Sequence, residues 1–165
     1  MRGNVFFTTI NTLMNWRKYN PDPEYQKALK ALGDLELEML KKEDPKKRPL
    51  IGEIVAGMEE YDRIQADGEH WLDALLELLD TDPDNEPEMP DAMASAIDAQ
   101  NELLDRLHQR IGTAKNDREQ VQRLREFNVA YSATVPLFRQ MYEHVREVMD
   151  DRKSVRTVDN PHTNP

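Results

Sequence analysis

Apolar residues recur at three- and four-residue steps along most of the chain, which is the spacing of one face of an α-helix. The pattern predicts a short helix over residues 5–17, a second over 23–42 and a third over about 50–79. A fourth predicted helix covers about residues 92–111, and the last begins near Asn116. We find no alternating strand pattern of useful length and no internal repeat. The chain therefore predicts an all-α fold.

The predicted connections are shorter than the helices they join, which favours an antiparallel four-helix-type bundle with a short N-terminal helix. Residues 1–19 form an aromatic arm in this interpretation, residues 20–151 form the bundle domain, and residues 152–165 form an extended C-terminal tail. Two positions leave the continuity of the helices open. Gly68 lies within one long helix or separates two, although the constant apolar phase favours one. Pro136 must kink the last helix or divide it.

The net charge of −10 is concentrated in the middle of the chain. Residues 51–100 contain fifteen acidic residues and a single basic one, Arg63. Binding of nucleic acid through a basic face has little support, because phosphate contacts need clustered Lys and Arg. The acidic segment instead leaves open an inhibitor or mimic that presents the surface from Glu53 to Asp91 to a basic groove of a host protein.

The loop between the third and fourth predicted helices carries carboxylates at positions 1, 3, 5 and 12 of a twelve-residue segment. These residues are Asp80, Asp82, Asp84 and Asp91. The spacing resembles that of the oxygen ligands in an EF-hand calcium loop. The segment departs from that motif because its sixth residue is Asn85 instead of Gly, and its twelfth is the shorter Asp. A calcium- or metal-binding bundle is therefore a second alternative.

The residue types that most enzymes need are poorly represented. The chain has no cysteine, its six glycines are isolated, and no serine lies in a strand–turn–helix elbow. We therefore expect a non-enzymatic protein without a cofactor. No apolar run approaches the ~20 residues of a membrane span. These features predict a cytoplasmic protein or a part of a soluble assembly.

Aromatic and apolar residues near the two ends of the chain are candidate contacts for a protein partner or a second copy of the chain, because aromatic anchors dominate interfaces. The candidate residues are Phe6, Phe7, Ile10 and Trp16 in the arm, Trp71 in the third helix, and Val155, Arg156 and Val158 in the tail. The alternative for the arm is that its apolar side caps one end of the bundle. The leading hypothesis is an adaptor, chaperone or subunit of a larger assembly, such as those of phages or secretion systems.

Overall fold

The computed structural model describes residues 23–159 of the chain, and these residues are almost entirely helical. The four helices are α1 (Pro23–Lys41), α2 (Ile51–Asp80), α3 (Asp91–Gly112) and α4 (Asp117–Asp159), with a 3-10 turn at Pro83–Asn85. The all-α bundle predicted from the sequence is confirmed. The predicted N-terminal helix and residues 160–165 lie outside the described residues. Within residues 23–159, none of the helices combines the length and the apolar character that crossing a membrane requires.

Local sequence explains where the last helix starts. The Asn116 side chain accepts a hydrogen bond from the Glu119 backbone N–H at 2.9 Å. In return, the Glu119 carboxylate accepts one from the backbone N–H of Lys115, also at 2.9 Å. This reciprocal arrangement satisfies backbone donors that a helix start otherwise leaves unpaired.

The helices α2 and α4 run parallel to each other. Asn128 of α4 contacts Gly57 of α2, and Tyr142 contacts Trp71, so residue numbers rise together along both helices. Helix α3, which lies between α2 and α4 in the sequence, runs antiparallel to α4. The Gln100 side chain of α3 donates a hydrogen bond to the Ala130 carbonyl of α4. Helix α1 is antiparallel to α2 and packs against its first half.

The buried core lies mainly between α2 and α4, and α3 closes it from the side of α4. The sequence pattern predicted most of its members. Its fully buried large side chains, apart from Pro87 of the loop, are Ile54, Leu72, Leu75, Ile97, Thr134, Phe138, Met141 and Val145.

The helices α2 and α4 are in close contact at Gly57. A Cβ atom at this position would lie 2.6 Å from Cδ2 and 3.1 Å from Cγ of Leu124, so the glycine provides the space that the leucine occupies. One turn further along α4, the Asn128 side chain donates a hydrogen bond to the Gly57 carbonyl at 2.9 Å. The contact between the two helices at Gly57 therefore combines close packing against Leu124 with a hydrogen bond from Asn128.

Neither Gly68 nor Pro136 divides the helix that contains it. Helix α2 is continuous through Gly68, which is buried, as the constant apolar phase favoured. Helix α4 is continuous through Pro136. Two residues before the proline, the fully buried Thr134 hydroxyl donates a hydrogen bond to the Ala130 carbonyl at 3.1 Å. Packing on both sides of Pro136 compensates for the backbone hydrogen bond that the proline removes.

The boundary predicted for the C-terminal tail is corrected by the structure. Helix α4 continues to Asp159, so residues 152–159 are helical. The reason is that no proline follows Pro136 until Pro161, and that Arg152 donates a hydrogen bond to the Asn85 carbonyl in the loop. The helix is therefore anchored beyond the end of its apolar stripe.

The close approach at Gly57 predicts the effect of filling it. Gly57→Val should lower the free energy of unfolding by about 1–3 kcal/mol, because the added atoms overlap Leu124 and force the helices apart. The matched control is Gly52→Val in the same helix, where an added Cβ meets no atom within 4 Å. The control should change stability by no more than about 0.5 kcal/mol. Denaturant unfolding followed by circular dichroism measures both, and equal effects would contradict the packing described.

Candidate functional site

Helix α1 turns three large apolar side chains away from the bundle. Leu32, Leu35 and Met39 are 63%, 58% and 64% exposed, whereas Leu37 is only 8% exposed. Since successive residues of an α-helix are about 100° apart, Leu37 lies on the side opposite to these three residues. The contact with α2 therefore uses the side of the helix opposite to Leu32, Leu35 and Met39.

The exposed side chains of α1 have the spacing of a coiled-coil seam. With the exposed Ala28, they form a series of four-, three- and four-residue steps, which we call the α1 stripe (Ala28, Leu32, Leu35 and Met39). Such steps place apolar residues at positions a and d of a heptad, where they insert between the side chains of a partner helix. The exposed residues Glu36 and Glu38 flank the stripe. The arrangement is suited to pairing with one further helix.

Polar contacts accompany the burial of Leu37 where α1 packs against α2. The Lys41 ammonium group lies 3.2 Å from the Glu59 carboxylate and 3.3 Å from that of Glu38. Partial desolvation raises the pKa of Asp62 on α2, and the negative charge of Asp34 on α1 raises it further, whereas Lys30 of α1 lowers it. Desolvation of Asp62 and the approach of Asp34 therefore oppose the docking of α1, which Lys30, Lys41 and Leu37 favour.

A second polar contact fixes the connection that follows α1. The Arg48 guanidinium donates two hydrogen bonds of 2.9 Å to the carboxylate of Asp117, at the first residue of α4. This bidentate pairing lowers the pKa of Asp117. It joins the α1–α2 connection to the start of α4, so the C-terminal end of α1 is held near the bundle.

A separate surface carries the acidic residues of α2 and of the loop that follows it. Asp73, Glu77 and Asp80 are exposed at four- and three-residue spacing along the outer side of α2, and Asp67, six residues before Asp73, is also exposed. The exposed loop carboxylates Asp84, Glu86, Glu88 and Asp91 extend the series. This surface is the acidic face, and it lies away from the buried contact with α4.

The loop does not assemble the predicted calcium ligands. Asp80 ends α2, Asp82 precedes the 3-10 turn that contains Asp84, and Asp91 begins α3. Among residues 23–159, no three or more His, Asp or Glu side chains are placed to hold a metal ion. The loop instead closes one end of the core, because Pro87 and Met89 are buried.

Polar contacts with α4 hold this loop in place. His144 Nε2 lies 3.3 Å from the Glu88 carbonyl oxygen, and Arg152 binds the carbonyl of Asn85. The loop is therefore attached to α4 at two points, and α4 fixes the ends of α2 and α3 relative to each other.

The other predicted contact residues have different environments. Trp71 is half-buried, with its ring 5.7 Å from that of Tyr142 and 5.5 Å below the Arg139 guanidinium carbon. Trp71 therefore packs against α4. Val155 is 58% exposed and lies beside a shallow groove of about 380 Å³, which Val148 and Arg152 also line.

The remaining predictions concern residues that the structure does not describe in full. Phe6, Phe7, Ile10 and Trp16 lie outside the described residues. Arg156 and Val158 belong to the last turn of α4, and their side chains are not described. The sequence pattern did not predict that the α1 stripe is exposed, and the available signal was the second apolar side of the helix at Leu37.

Comparison of the chain with protein-family models, with curated proteins and with solved structures gave no match. The bundle architecture does not identify a function, because helical bundles serve many unrelated ones. A functional proposal for this protein therefore rests on the exposed surfaces of its own helices.

The raised pKa of Asp62 predicts that removing its charge stabilises the contact between α1 and α2. Asp62→Asn should slow amide hydrogen exchange in α1 at pH 7, because the ionised carboxylate opposes the contact with α2. The gain should disappear below the ordinary pKa of 3.8, where the carboxyl is protonated in both the folded and the unfolded chain. Asp67→Asn, which makes the same charge change on the acidic face, should leave exchange in α1 unchanged. Slower exchange in both variants would contradict a specific effect at Asp62.

The lowered pKa of Asp117 predicts that removing its charge destabilises the folded chain at neutral pH, opposite to the effect expected for Asp62. Asp117→Asn should lower the melting temperature at pH 7, because the ionised carboxylate binds Arg48 only in the folded chain. This stabilisation is present above the ordinary pKa of 3.8 and is lost as the pH falls through the lowered folded value. Thermal unfolding at pH 7 and pH 2 tests the prediction, and an equal loss at both would show that the ion pair is not its cause.

Proposed function

We propose that this protein is a non-enzymatic helical interaction protein, a subunit or adaptor of a larger assembly that binds a partner helix on the α1 stripe. The observation that carries the proposal is the exposure of Leu32, Leu35 and Met39 at coiled-coil spacing. Single exposed apolar residues are common on protein surfaces, but a contiguous apolar face on one helix marks an interaction site. A chaperone of assembly, working in the cytoplasm or within a soluble complex, is included in this proposal.

The chemistry of α1 defines the partner that would fit. An amphipathic helix with apolar residues at positions a and d would insert them around Leu32 and Leu35. Basic residues on its flanks would face Glu36 and Glu38, which lie on either side of the stripe.

The acidic face supports a second candidate function. An acidic inhibitor or mimic would present Asp67, Asp73, Glu77 and the loop carboxylates to a basic groove on its target. Such binding depends on charge and weakens as salt screens the two surfaces. Binding through the α1 stripe depends mainly on apolar contact and is much less sensitive to salt.

The two candidates predict different effects of placing charge on α1. Burial of each leucine contributes about 1.5–3 kcal/mol, so Leu32→Asp combined with Leu35→Asp should reduce partner capture more than tenfold. The control is Ala96→Asp combined with Ala99→Asp at exposed positions of α3, which makes the same charge change. Capture from the native host, sized by light scattering and identified by mass spectrometry, measures the effect.

The outcomes of this comparison separate the two functions. Loss of capture with the α1 variant alone, at unchanged helicity, supports an adaptor that uses the α1 stripe. Undiminished capture by the α1 variant contradicts that proposal. If, in addition, capture falls steeply between low and high salt, the acidic face becomes the binding surface.

A further inference from the structure

The spacing of the α1 stripe is the same when it is read in either direction. Its four-, three- and four-residue steps are symmetric about the point between Gly33 and Asp34. A helix with such a stripe fits an antiparallel copy of itself, because every a position then meets a d position of the other helix. We propose that the α1 stripe binds the α1 stripe of a second copy of this chain, so that two copies form a two-fold symmetric dimer.

The antiparallel register matches the sizes of the facing side chains. Leu32 lies opposite Leu35 of the second copy, and Ala28 lies opposite Met39. The short alanine leaves space for the long and flexible methionine, so each facing pair fills a similar volume. Because of the two-fold symmetry, each pairing occurs twice. The dimer therefore covers Leu32, Leu35 and Met39 of both copies, which are more than half exposed in the single chain.

The charge distribution of α1 also favours an antiparallel second copy. Residues 23–31 carry two lysines and one glutamate, whereas residues 32–41 carry three acidic residues and one lysine. Antiparallel pairing places the net basic half of each helix beside the net acidic half of the other. In this register Lys27 lies within about 3 Å, along the helix axis, of Glu38 of the second copy, and on the same flank of the pair. The Glu38 side chain remains 61% exposed although it also contacts Lys41, so it is accessible to this second cation.

A parallel pair lacks both features. It would place Ala28 opposite Ala28 of the second copy, and it would bring the acidic halves of the two helices to the same level. In the antiparallel register, the two copies of Glu36 are instead separated by about 7.5 Å along the helix axis. Packing and charge therefore select the same direction.

The bundle leaves the α1 stripe accessible to a second copy. Helix α1 contacts α2 through Leu37 and Lys41, and Leu37 lies on the side opposite to the stripe. The bundles formed by α2, α3 and α4 therefore lie on opposite outer sides of the two paired α1 helices, and neither separates them.

This inference rests on the proposed function, since it names the helix that binds the α1 stripe. It makes a second copy of the chain the partner, so purified protein is sufficient to test it. A chain that stays monomeric would overturn the inference, whereas binding of a different partner helix is decided separately by capture from the native host.

Sedimentation equilibrium of the full chain tests the self-association. The measurement is made at physiological ionic strength, where repulsion between two chains of net charge −10 is screened. We expect a reversible equilibrium between monomer and dimer. Leu32→Asp combined with Leu35→Asp should weaken the dimer more than about a hundredfold, because the two-fold symmetry doubles the effect of each substitution.

The matched control for this measurement is Ala96→Asp combined with Ala99→Asp at exposed positions of α3. The control makes the same charge change and should dimerise as the unchanged chain does. Circular dichroism establishes that both variants keep their helicity. A monomer at every concentration, or an equally stable dimer in both variants, would overturn the proposal.

A mixture of two charge-reversed variants tests the antiparallel register. Lys27→Glu alone brings two negative charges together at each end of the pair, and Glu38→Lys alone brings two positive charges together. When the two variants are mixed, residues 27 and 38 carry opposite charges at both ends of a mixed dimer. Native mass spectrometry should therefore show an excess of the mixed dimer of roughly two- to tenfold over random mixing.

The control mixture makes the same charge changes away from α1. It combines Arg106→Glu with Glu102→Lys, two exposed residues of α3, and should give random mixing. Random mixing of Lys27→Glu with Glu38→Lys, as in this control, would overturn the proposed pairing of Lys27 with Glu38.

Discussion

The parallel contact of α2 with α4 is the constraint on which the rest of the structure depends. At its first half, Leu124 occupies the space that Gly57 leaves open, and Asn128 binds the Gly57 carbonyl. One turn further, Tyr61 stacks on Tyr131 with ring centres 5.2 Å apart. Burial raises the pKa of the Tyr131 phenol, so this residue stays neutral throughout the physiological range. The contact combines close backbone approach with an aromatic cluster, and it fixes the direction of both helices.

The position of α1 is a consequence of that contact. Helices α2 and α3 direct their apolar stripes towards α4, and the loop residues Pro87 and Met89 close one end of the core. A chain whose core is already formed by α2, α3 and α4 leaves no interior place for a fourth apolar face. Helix α1 therefore packs on the outside of α2 through Leu37 and Lys41, and its larger apolar side chains face outward.

Periodicity predicted the interior faces of α2 and α4 because a long helix with one apolar stripe has a single way to bury it. Leu72 and Met141 are examples of residues that the pattern placed correctly. The orientation of α1 could not be predicted in this way, since Leu37 and Leu35 offer two apolar sides and the choice depends on distant partners. The burial of Pro87 was equally inaccessible, because it depends on contacts between the loop and α4.

The arrangement of the acidic segment also depends on contacts that the sequence pattern does not contain. Its charge is evident from the sequence, but whether its carboxylates gather into a metal site depends on the backbone path. Asp80 and Asp91 belong to different helices, and the 3-10 turn between them does not bring the carboxylates together. Spacing alone therefore identified the residues of the acidic face but not their arrangement.

The energetic balance at α1 explains why its occupant matters. The ion pair of Lys41 with Glu59 is solvent-exposed, and pairs of this kind stabilise a fold only weakly. Burying Leu32, Leu35 and Met39 would contribute about 1.5–3 kcal/mol for each side chain, before the cost of ordering. Covering the exposed side of α1 would therefore add to the burial of Leu37 on the side that faces α2. A helix bound to the α1 stripe would help to fix the position of α1 relative to the bundle.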